Sequence, residues 1–304
     1  MPEPFVPEGR ILDLPGRGET FVRAHFSGTD RPTLLLLHGW TITADLNWFA
    51  CYAAFAERYN LVAIDHRGHG RGLRSTHPFD LEAAADDAAA ALELLGVRPV
   101  VAVGYSMGGP VALHLAGRHP GIVEGLVLTA TAARFNRRLD ERLEWALLPL
   151  LPMVLRRDGL VRALRRALDK QAALDPAVAA WRGRLVGETQ RASTASTVEA
   201  GRALSRYDAR EVAMELELPA AVVLTSRDRA VPPSSQRELA KLLRARVLEI
   251  EAGHDVFIQQ PAAFAAGLLA GVEGVLARRA EGNGSVTRAV ARHARRWRRR
   301  HVRA

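Results

Sequence analysis

Short, continuous apolar runs alternate along this chain with longer stretches of helical pattern. The six runs cover residues 33–37, 61–64, 100–103, 126–129, 220–225 and 247–250. Runs that are apolar at every position are typical of strands buried on both faces, and their alternation with helices is typical of parallel sheets. The pattern therefore predicts an α/β fold in which a mostly parallel central sheet is flanked by helices.

Helical pattern is clearest at residues 79–95, 108–118 and 261–277. Asp80 is suited to cap the first of these helices and Gly96 to end it. About ninety residues separate the fourth apolar run from the fifth, and they show helical patterning without a strand. Two helices are predicted there, at residues 137–157 and 160–174.

This insertion is expected to form a helical cap over the carboxyl edge of the sheet, where open α/β sheets place their ligands. On this basis the chain divides into a core (19–131 and 212–279), a cap (132–211) and a basic tail (280–304). The cap contains a strongly apolar stretch at residues 143–155. That stretch either lines an acyl pocket or packs against the edge of the sheet.

Positive charge is concentrated at the end of the chain. The net charge is +9, and residues 278–304 hold ten arginines and a single acid, Glu281, so the rest of the chain is neutral overall. If helical, the tail is a candidate contact with an anionic membrane surface; the alternative is a solvated terminus. No module for specific nucleic-acid binding is recognisable.

Composition limits the remaining classes. With 48% hydrophobic and 25% charged residues, the chain is expected to be globular rather than disordered. One cysteine, Cys51, excludes an internal disulfide and a Cys-rich zinc site. The first ten residues lack an apolar segment typical of a signal peptide, and no run of about 18 uncharged apolar residues predicts a membrane span. The expected location is therefore cytoplasmic.

A glycine-flanked serine carries the strongest chemical signal. Gly104-Tyr105-Ser106-Met107-Gly108-Gly109 follows an apolar run and precedes a helical stretch, which is the context of a nucleophile elbow. The strand-to-helix turn is so tight that the residues two before and two after the serine nearly touch, and glycines there bring no Cβ to clash. The helix N-terminus also favours an oxyanion beside the serine.

Ser106 needs a base, and that base needs an orienting acid. Asp228 directly follows the run at 220–225, and His254 directly follows the run at 247–250. Because all three residues come after strands at the carboxyl edge, they are predicted to meet as nucleophile, acid and base. Asp255 is the alternative acid, but it adjoins His254 on the chain and is poorly placed to orient it.

Other titratable residues compete less well for these roles. His114 is eight residues into the helix after the serine, so its side chain is expected to point away from the serine hydroxyl. Asp86 and Asp87 are on the predicted helix at 79–95 and are expected to face solvent. Asp65, His66 and His69 could suggest a metal, but one short loop rarely supplies a full ligand set, so a structural turn is predicted and no metal.

The oxyanion hole requires two N–H donors. One is predicted to be the backbone N–H of Met107, directly after the nucleophile. The second is predicted to be the backbone N–H of Trp40, in the loop after the first apolar run, where Gly39 allows close approach. His38 is expected to hold this loop through hydrogen bonds to its backbone.

These motifs together resemble the α/β-hydrolase fold family, with a helical cap. The resemblance covers about residues 19–279 and is carried by the 38–40 loop, the 65–70 turn, the elbow and the loops around Asp228 and His254. It implies the same roles for Ser106, His254, Asp228, Trp40 and Met107. Members with aspartate at the elbow are dehalogenases and epoxide hydrolases, so Ser106 argues against both.

The resemblance implies a carboxylesterase or lipase-like serine hydrolase that acts through an acyl-enzyme without a cofactor. A small apolar ester is the expected substrate. The alternatives of the same fold are a thioesterase, a perhydrolase and a C–C bond hydrolase, the last disfavoured because its oxyanion loop is usually richer in glycine. A member that binds ligand without turnover is a further alternative, since fold does not dictate function.

Overall fold

One eight-stranded sheet organises the protein. The structure is a computed structural model that describes residues 4–135, 157–189, 191 and 194–282. The strands are β1 (Glu8–Leu14), β2 (Gly18–His25), β3 (Thr33–Leu37), β4 (Asn60–Ile64), β5 (Val100–Tyr105), β6 (Val123–Thr129), β7 (Ala220–Thr225) and β8 (Arg246–Ile250). Their order across the sheet is β1-β2-β4-β3-β5-β6-β7-β8.

Six of these strands, β3 to β8, are parallel to one another. Five of the six, all except β8, are buried along nearly their whole length, which explains why they appear in the sequence as continuous apolar runs. This confirms the predicted mostly parallel sheet. The sequence analysis missed the antiparallel hairpin of β1 and β2, which joins the sheet at β4.

Ten helices are described, numbered in chain order. They are α1 (Ala44–Ala56), α2 (Leu81–Leu94), α3 (Gly108–Arg118), α4 (Arg157–Ala172), α5 (Pro176–Glu188), α6 (Thr194–Arg206), α7 (Arg210–Glu215), α8 (Pro233–Leu242), α9 (Val256–Gln259) and α10 (Pro261–Gly282). Asp80 caps α2 as predicted, because its carboxylate accepts from the Ala83 N–H at 3.0 Å.

The helices cover both faces of the sheet. Alternate residues of β3 enter opposite cores: Leu35 and Leu37 pack with residues of α2, α3 and α8, and Leu34 and Leu36 pack with residues of α1 and α10. The flanking helices predicted from the sequence are therefore present. The two helical layers hold the carboxyl ends of β3, β5, β7 and β8 along one edge of the sheet.

Between β6 and β7 the described chain contains only helices, α4 to α7. Predicted helix 160–174 corresponds to α4, whereas predicted helix 137–157 and the apolar stretch 143–155 lie largely or wholly outside the described residues. The insertion leaves and re-enters the core at one place, where Arg134 and Asp208 form an antiparallel bridge and the Ala209 N–H donates to the Ala133 carbonyl at 2.9 Å.

Helix α10 corresponds to the predicted helix 261–277 and continues to Gly282. Among the described helices, it alone is long and apolar enough to cross a membrane, a finding that rests on length and composition and is weak evidence. Its side chains Phe264, Leu268, Val272 and Val275 are buried in the core on the sheet. A core helix of this kind meets the same criterion.

The expectation that Asp86 and Asp87 face solvent is wrong. Asp87 is only 2% exposed and accepts from the Arg67 guanidinium at 2.7 and 2.8 Å and from Arg17 at 2.9 Å. The Asp86 carboxylate is bound by Arg118 at 2.9 Å. Both carboxylates therefore tie α2 to neighbouring segments by charge-assisted hydrogen bonds.

Candidate active site

Ser106 lies at the turn from β5 into α3, in a backbone conformation that side chains rarely adopt. Its φ is +49°, in the left-handed region. A Cβ on Gly104 would lie 2.6 Å from the Gly108 carbonyl oxygen, and one on Gly108 would collide with the Leu37 carbonyl. The two glycines are thus required by the close packing of this turn, in the way expected of a nucleophile elbow.

A hydrogen-bond chain links three side chains above the carboxyl edge. The Ser106 Oγ is 3.1 Å from His254 Nε2, and His254 Nδ1 is 2.9 Å from Asp228 Oδ2. Since a carboxylate only accepts, the imidazole N–H is on Nδ1, and Nε2 is left to accept from the serine hydroxyl. The structure therefore brings together the three residues predicted from the sequence; the alternative acid, Asp255, is not the one paired with His254 Nδ1.

Asp228 is held rigidly in the loop after β7. Its side chain is fully buried, and its Oδ1 accepts from the backbone N–H groups of Ala230 at 2.9 Å and Val231 at 2.8 Å. Its Oδ2 accepts from the Thr225 hydroxyl at 3.0 Å as well as from the imidazole. These hydrogen bonds fix the orientation of the carboxylate.

His254 comes from the loop between β8 and α9 and is more accessible, with 30% of its side chain exposed. The Tyr105 hydroxyl donates to the backbone carbonyl of His254, and the two rings lie 5.4 Å apart. Burial raises the pKa of Tyr105 well above its usual value of 10, so the phenol stays protonated and available as a donor. Tyr105 thus fixes the loop that presents the imidazole.

The loop after β3 approaches Ser106 closely. A Cβ on Gly39 would lie 2.8 Å from the Tyr105 ring and 3.3 Å from the Ser106 Cβ, so only glycine fits. The Gly39 N–H donates to Asn47 Oδ1 at 3.2 Å, which anchors the loop to α1. Trp40 follows at the edge of the site, and Met107, the N-cap residue of α3, is fully buried behind the serine.

Buried histidines shape this loop. His38 Nδ1–H donates to the Gly39 carbonyl at 2.7 Å, and its Nε2 accepts from the His66 backbone N–H at 2.9 Å. Burial lowers the pKa of His38 to about 4 and that of His69 to about 3, so both rings are neutral at pH 7. His38 therefore contacts loop backbone as expected.

The Asp65 side chain is also held by hydrogen bonds to the backbone. Its carboxylate accepts from the Ala44 and Arg71 backbone N–H groups, each at 2.8 Å, and burial raises its pKa. Within the described ranges, no group of three or more His, Cys, Asp or Glu side chains is arranged to hold a metal ion. The 65–70 segment is thus a hydrogen-bonded turn.

Cap helices are tied to the loops of the site. The Trp40 indole N–H donates to the Thr197 carbonyl at 2.8 Å, and Glu199 accepts from the Phe79 N–H at 3.1 Å, which holds α6 against the loop after β3 and the segment before α2. Glu188, at the end of α5, lies 3.5 Å from the Arg71 guanidinium. Burial raises the pKa of Glu188, and the Arg71 charge acts against that rise.

Sequence reasoning missed four residues that hold the site, namely Asn47, Tyr105, Thr225 and Gln236. Only Tyr105 lies inside a recognised motif, and its role follows from the approach of the His254 loop. Asn47 and Gln236 act through contacts between separate elements, which spacing along the chain does not reveal. Thr225 contacts Asp228 three residues along the chain, but nothing in the sequence shows that its hydroxyl faces the carboxylate.

Comparison with known proteins agrees with this architecture. The model of the alpha/beta hydrolase fold family matches residues 32–261. An esterase from Exiguobacterium antarcticum superposes with a TM-score of 0.72 at 19% identity, covering 86% of this chain and 98% of the other. At that identity, the likeness concerns the fold alone.

Two curated proteins are similar in sequence. The pimeloyl-(acyl-carrier protein) methyl ester esterase of Neisseria meningitidis serogroup A is 33% identical over 245 residues, which cover 79% of this chain and 77% of the relative. A bifunctional esterase/perhydrolase of Acinetobacter calcoaceticus is 39% identical over 92 residues, about 30% of this chain and 33% of that protein.

Proposed function

The chain belongs to the α/β-hydrolase fold family, and on that premise we propose that it is a serine esterase that cleaves carboxylic esters through an acyl-enzyme. Ser106 is the nucleophile, His254 the general base and Asp228 the acid that orients the imidazole. The observation that carries the proposal is the hydrogen-bond chain from Ser106 through His254 to Asp228, with a serine held at φ +49°.

In the acylation step, Ser106 Oγ attacks the ester carbonyl while His254 Nε2 takes the hydroxyl proton. The resulting oxyanion accepts from the backbone N–H groups of Met107 and Trp40. Collapse of the tetrahedral intermediate breaks the ester C–O bond, and His254 returns its proton to the leaving alcohol. Water then attacks the acyl-enzyme by the same route and regenerates the Ser106 hydroxyl.

The substrate class is an ester of an acyl chain with a small alcohol. The similarity to a methyl ester esterase supports this choice, because that relative is matched over 77% of its length. The cap (132–211) is proposed to select the acyl part, and the core (19–131 and 212–279) to supply the chemistry. A thioester substrate is the alternative. Comparing the rates of hydrolysis of acyl methyl esters and acyl thioesters of equal chain length distinguishes the two.

A fluorophosphonate probe tests the nucleophile. Wild-type protein is expected to be labelled and to hydrolyse p-nitrophenyl esters, whereas Ser106→Ala is expected to lose labelling and several orders of magnitude in kcat with an unchanged thermal midpoint. Ser75→Ala, an exposed serine, is the matched control and should be labelled like wild type. Near-normal hydrolysis by Ser106→Ala would refute the assignment, as would wild-type protein that neither labels nor turns over.

Perhydrolysis is a second candidate reaction, supported by the similarity to a bifunctional esterase/perhydrolase. In that reaction hydrogen peroxide replaces water in the attack on the acyl-enzyme, so the product is a peracid. Peracid formed from an ester and hydrogen peroxide by wild type but not by Ser106→Ala would establish it. No peracid at concentrations of peroxide that leave the esterase active would exclude it.

A cytoplasmic location is part of the proposal, and so is contact of the basic tail (280–304) with an anionic membrane surface. The support is the density of arginine in the sequence there, since each basic residue near an anionic leaflet contributes about 1 kcal/mol. Ester substrates carried in or near a membrane would then meet the enzyme at the surface.

A further inference from the structure

Behind the proposed acid lies a buried pair of polar side chains that the reaction scheme does not use. Thr225, the last residue of β7, is fully buried, and so is Gln236 on α8. The Thr225 Oγ1 lies 3.0 Å from Asp228 Oδ2 and 2.8 Å from Gln236 Nε2. The hydroxyl is therefore a bridge between the carboxylate and the amide.

The orientation of the Gln236 amide is fixed by backbone groups on either side of it. Its Oε1 accepts from the Thr225 N–H at 3.0 Å, so this end must be the carbonyl. Its Nε2 donates to the Val231 carbonyl at 2.8 Å, so that end must be the NH2 group. One amide hydrogen goes to Val231, and the second is directed at the Thr225 hydroxyl oxygen at 2.8 Å, with Asp228 Oδ2 farther away at 3.5 Å.

This orientation determines the direction of the hydroxyl proton. A hydroxyl has one proton to donate. Thr225 Oγ1 accepts a hydrogen bond from Gln236 Nε2–H, so the hydroxyl proton cannot point toward Gln236 Nε2. Among the described residues, the acceptor that the Thr225 hydroxyl reaches is Asp228 Oδ2, at 3.0 Å. The hydroxyl therefore donates to the carboxylate.

We propose that Thr225 and Gln236 are positioning residues of the esterase, acting through Asp228 to keep its carboxylate aimed at His254. This inference rests on the proposed function. With Ala230 and Val231 on Oδ1 and Thr225 on Oδ2, three donors hold the carboxylate in one rotamer. The accepting direction that remains on Oδ2 faces the imidazole Nδ1–H, and this keeps Nε2 free of a proton and aimed at Ser106.

The pair acts on the transition state more than on the bound substrate. During acylation the imidazole becomes positively charged, and a carboxylate held in place stabilises that charge without rearrangement. The ester itself contacts neither Thr225 nor Gln236, because both are fully buried. Loss of the hydroxyl should therefore lower kcat and leave KM nearly unchanged.

Thr225→Val tests the hydroxyl, because valine keeps the shape and removes the donor. We expect kcat for a p-nitrophenyl ester to fall about tenfold, equivalent to about 1.4 kcal/mol of transition-state stabilisation, with KM within about twofold. Thr225→Ser, which restores the hydroxyl, should recover most of the rate. Thr129→Val is the matched control, since Thr129 ends the neighbouring strand and its buried Oγ1 has no partner among the described residues.

Gln236→Glu tests the direction of the proton. An ionised carboxylate at that position can still accept from the Thr225 N–H, but it draws the Thr225 hydroxyl proton away from Asp228. It also replaces an NH2 group that lies 3.5 Å from Asp228 Oδ2, so it repels that carboxylate directly. We expect kcat to fall as far as in Thr225→Val, and the ratio to wild type to worsen as pH rises and the introduced carboxyl ionises. Thermal midpoints and the labelling rate with a fluorophosphonate are measured for every variant.

The outcomes separate the two proposals. A kcat for Thr225→Val within twofold of wild type would overturn the positioning role, as would an equal loss in Thr225→Ser, which would point to packing of the methyl group. If Thr225→Val does not fold, Thr225→Ser and Gln236→Glu decide the question. A near wild-type kcat for Thr225→Ser together with a pH-dependent loss of kcat in Gln236→Glu supports the positioning role. Wild-type kcat in Gln236→Glu rejects it. Failure of the esterase proposal shows separately, in Ser106→Ala that keeps its activity.

Discussion

The backbone around Ser106 is packed so closely that Gly104 and Gly108 cannot be replaced by residues with a side chain. Gly108 is the tighter of the two, because an added Cβ there collides with the backbone carbonyl of Leu37, which cannot rotate away. We predict that Gly108→Ala destabilises the protein by about 3 kcal/mol or more, measured by urea unfolding. Fluorophosphonate labelling should be lost in the same variant, since the elbow that presents the serine is displaced.

Gly183 provides the control for this prediction. It is an exposed residue inside α5, and an added Cβ there has no heavy atom within 4 Å. Gly183→Ala should therefore stabilise the protein by up to about 1 kcal/mol, as expected for alanine in a helix. Equal effects of the two substitutions would contradict the claim that close packing, rather than glycine content, decides the outcome.

At this scale the sequence predicts the reacting groups better than the groups that support them. Ser106, Asp228 and His254 each follow an apolar strand, so their common edge could be inferred from spacing. Gln236 could not be found that way, because its contact with Thr225 depends on how α8 packs on β7. Asp87 was misjudged for the same reason, since its burial is created by arginines from other segments.

Among the secondary-structure elements, α5 is attached to the core by buried apolar side chains, such as Trp181, and by buried charge. Arg71 lies 3.1 Å from Asp45, 3.4 Å from Asp65 and 3.5 Å from Glu188, and its guanidinium stacks 3.7 Å above the Phe21 ring. Arg71→Met keeps much of the side-chain volume but leaves buried carboxylates under-compensated. We predict a loss of about 3 kcal/mol and faster trypsin cleavage within the cap.

Arg182→Met is the matched variant on the same helix. Arg182 pairs with Asp169 at 2.7 Å, but both side chains are about half exposed, so water replaces the lost partner. Its cost should stay below about 1 kcal/mol, and trypsin cleavage of the cap should change only by the loss of the site after residue 182. An equal loss of unfolding free energy in Arg71→Met and Arg182→Met would disprove the claim that Arg71 holds α5 to the core.

Strands that are buried on both faces were predicted from the sequence, whereas a half-exposed hairpin and a largely buried helix were missed. Strands such as β5 are apolar at nearly every position, and helices next to them in the chain, such as α2, begin and end at recognisable residues. The hairpin of β1 and β2 has one side facing solvent and carries charges along it, so it did not look like the buried strands. Helix α1 was missed for the opposite reason: most of its circumference is buried, and no polar face reveals its period.

For the molecule as a whole, the net charge of +9 is carried by the last part of the sequence, residues 278–304. We predict that the protein sediments with phosphatidylserine vesicles at low salt and is released as salt screens the attraction. Replacing Arg295, Arg296, Arg298, Arg299 and Arg300 by Gln should weaken binding by more than about 100-fold. Hydrolysis of a soluble ester should be unaffected by these changes.

Phosphatidylcholine vesicles serve as the reference surface, because they carry no net charge to attract the arginines. Binding to both lipids alike, or binding that survives the five substitutions, would show that the tail is not the contact. Salt-independent binding would likewise favour an apolar contact elsewhere on the protein.

The bridge between Arg134 and Asp208 closes the insertion at a narrow neck. Strands β6 and β7 are paired directly with each other beneath that neck, so their paths do not depend on what lies between them in the sequence. Evolution can therefore lengthen, shorten or exchange much of the intervening segment without altering the pairing of β6 with β7, provided that the contacts of Thr197 and Glu188 with the core loops are kept.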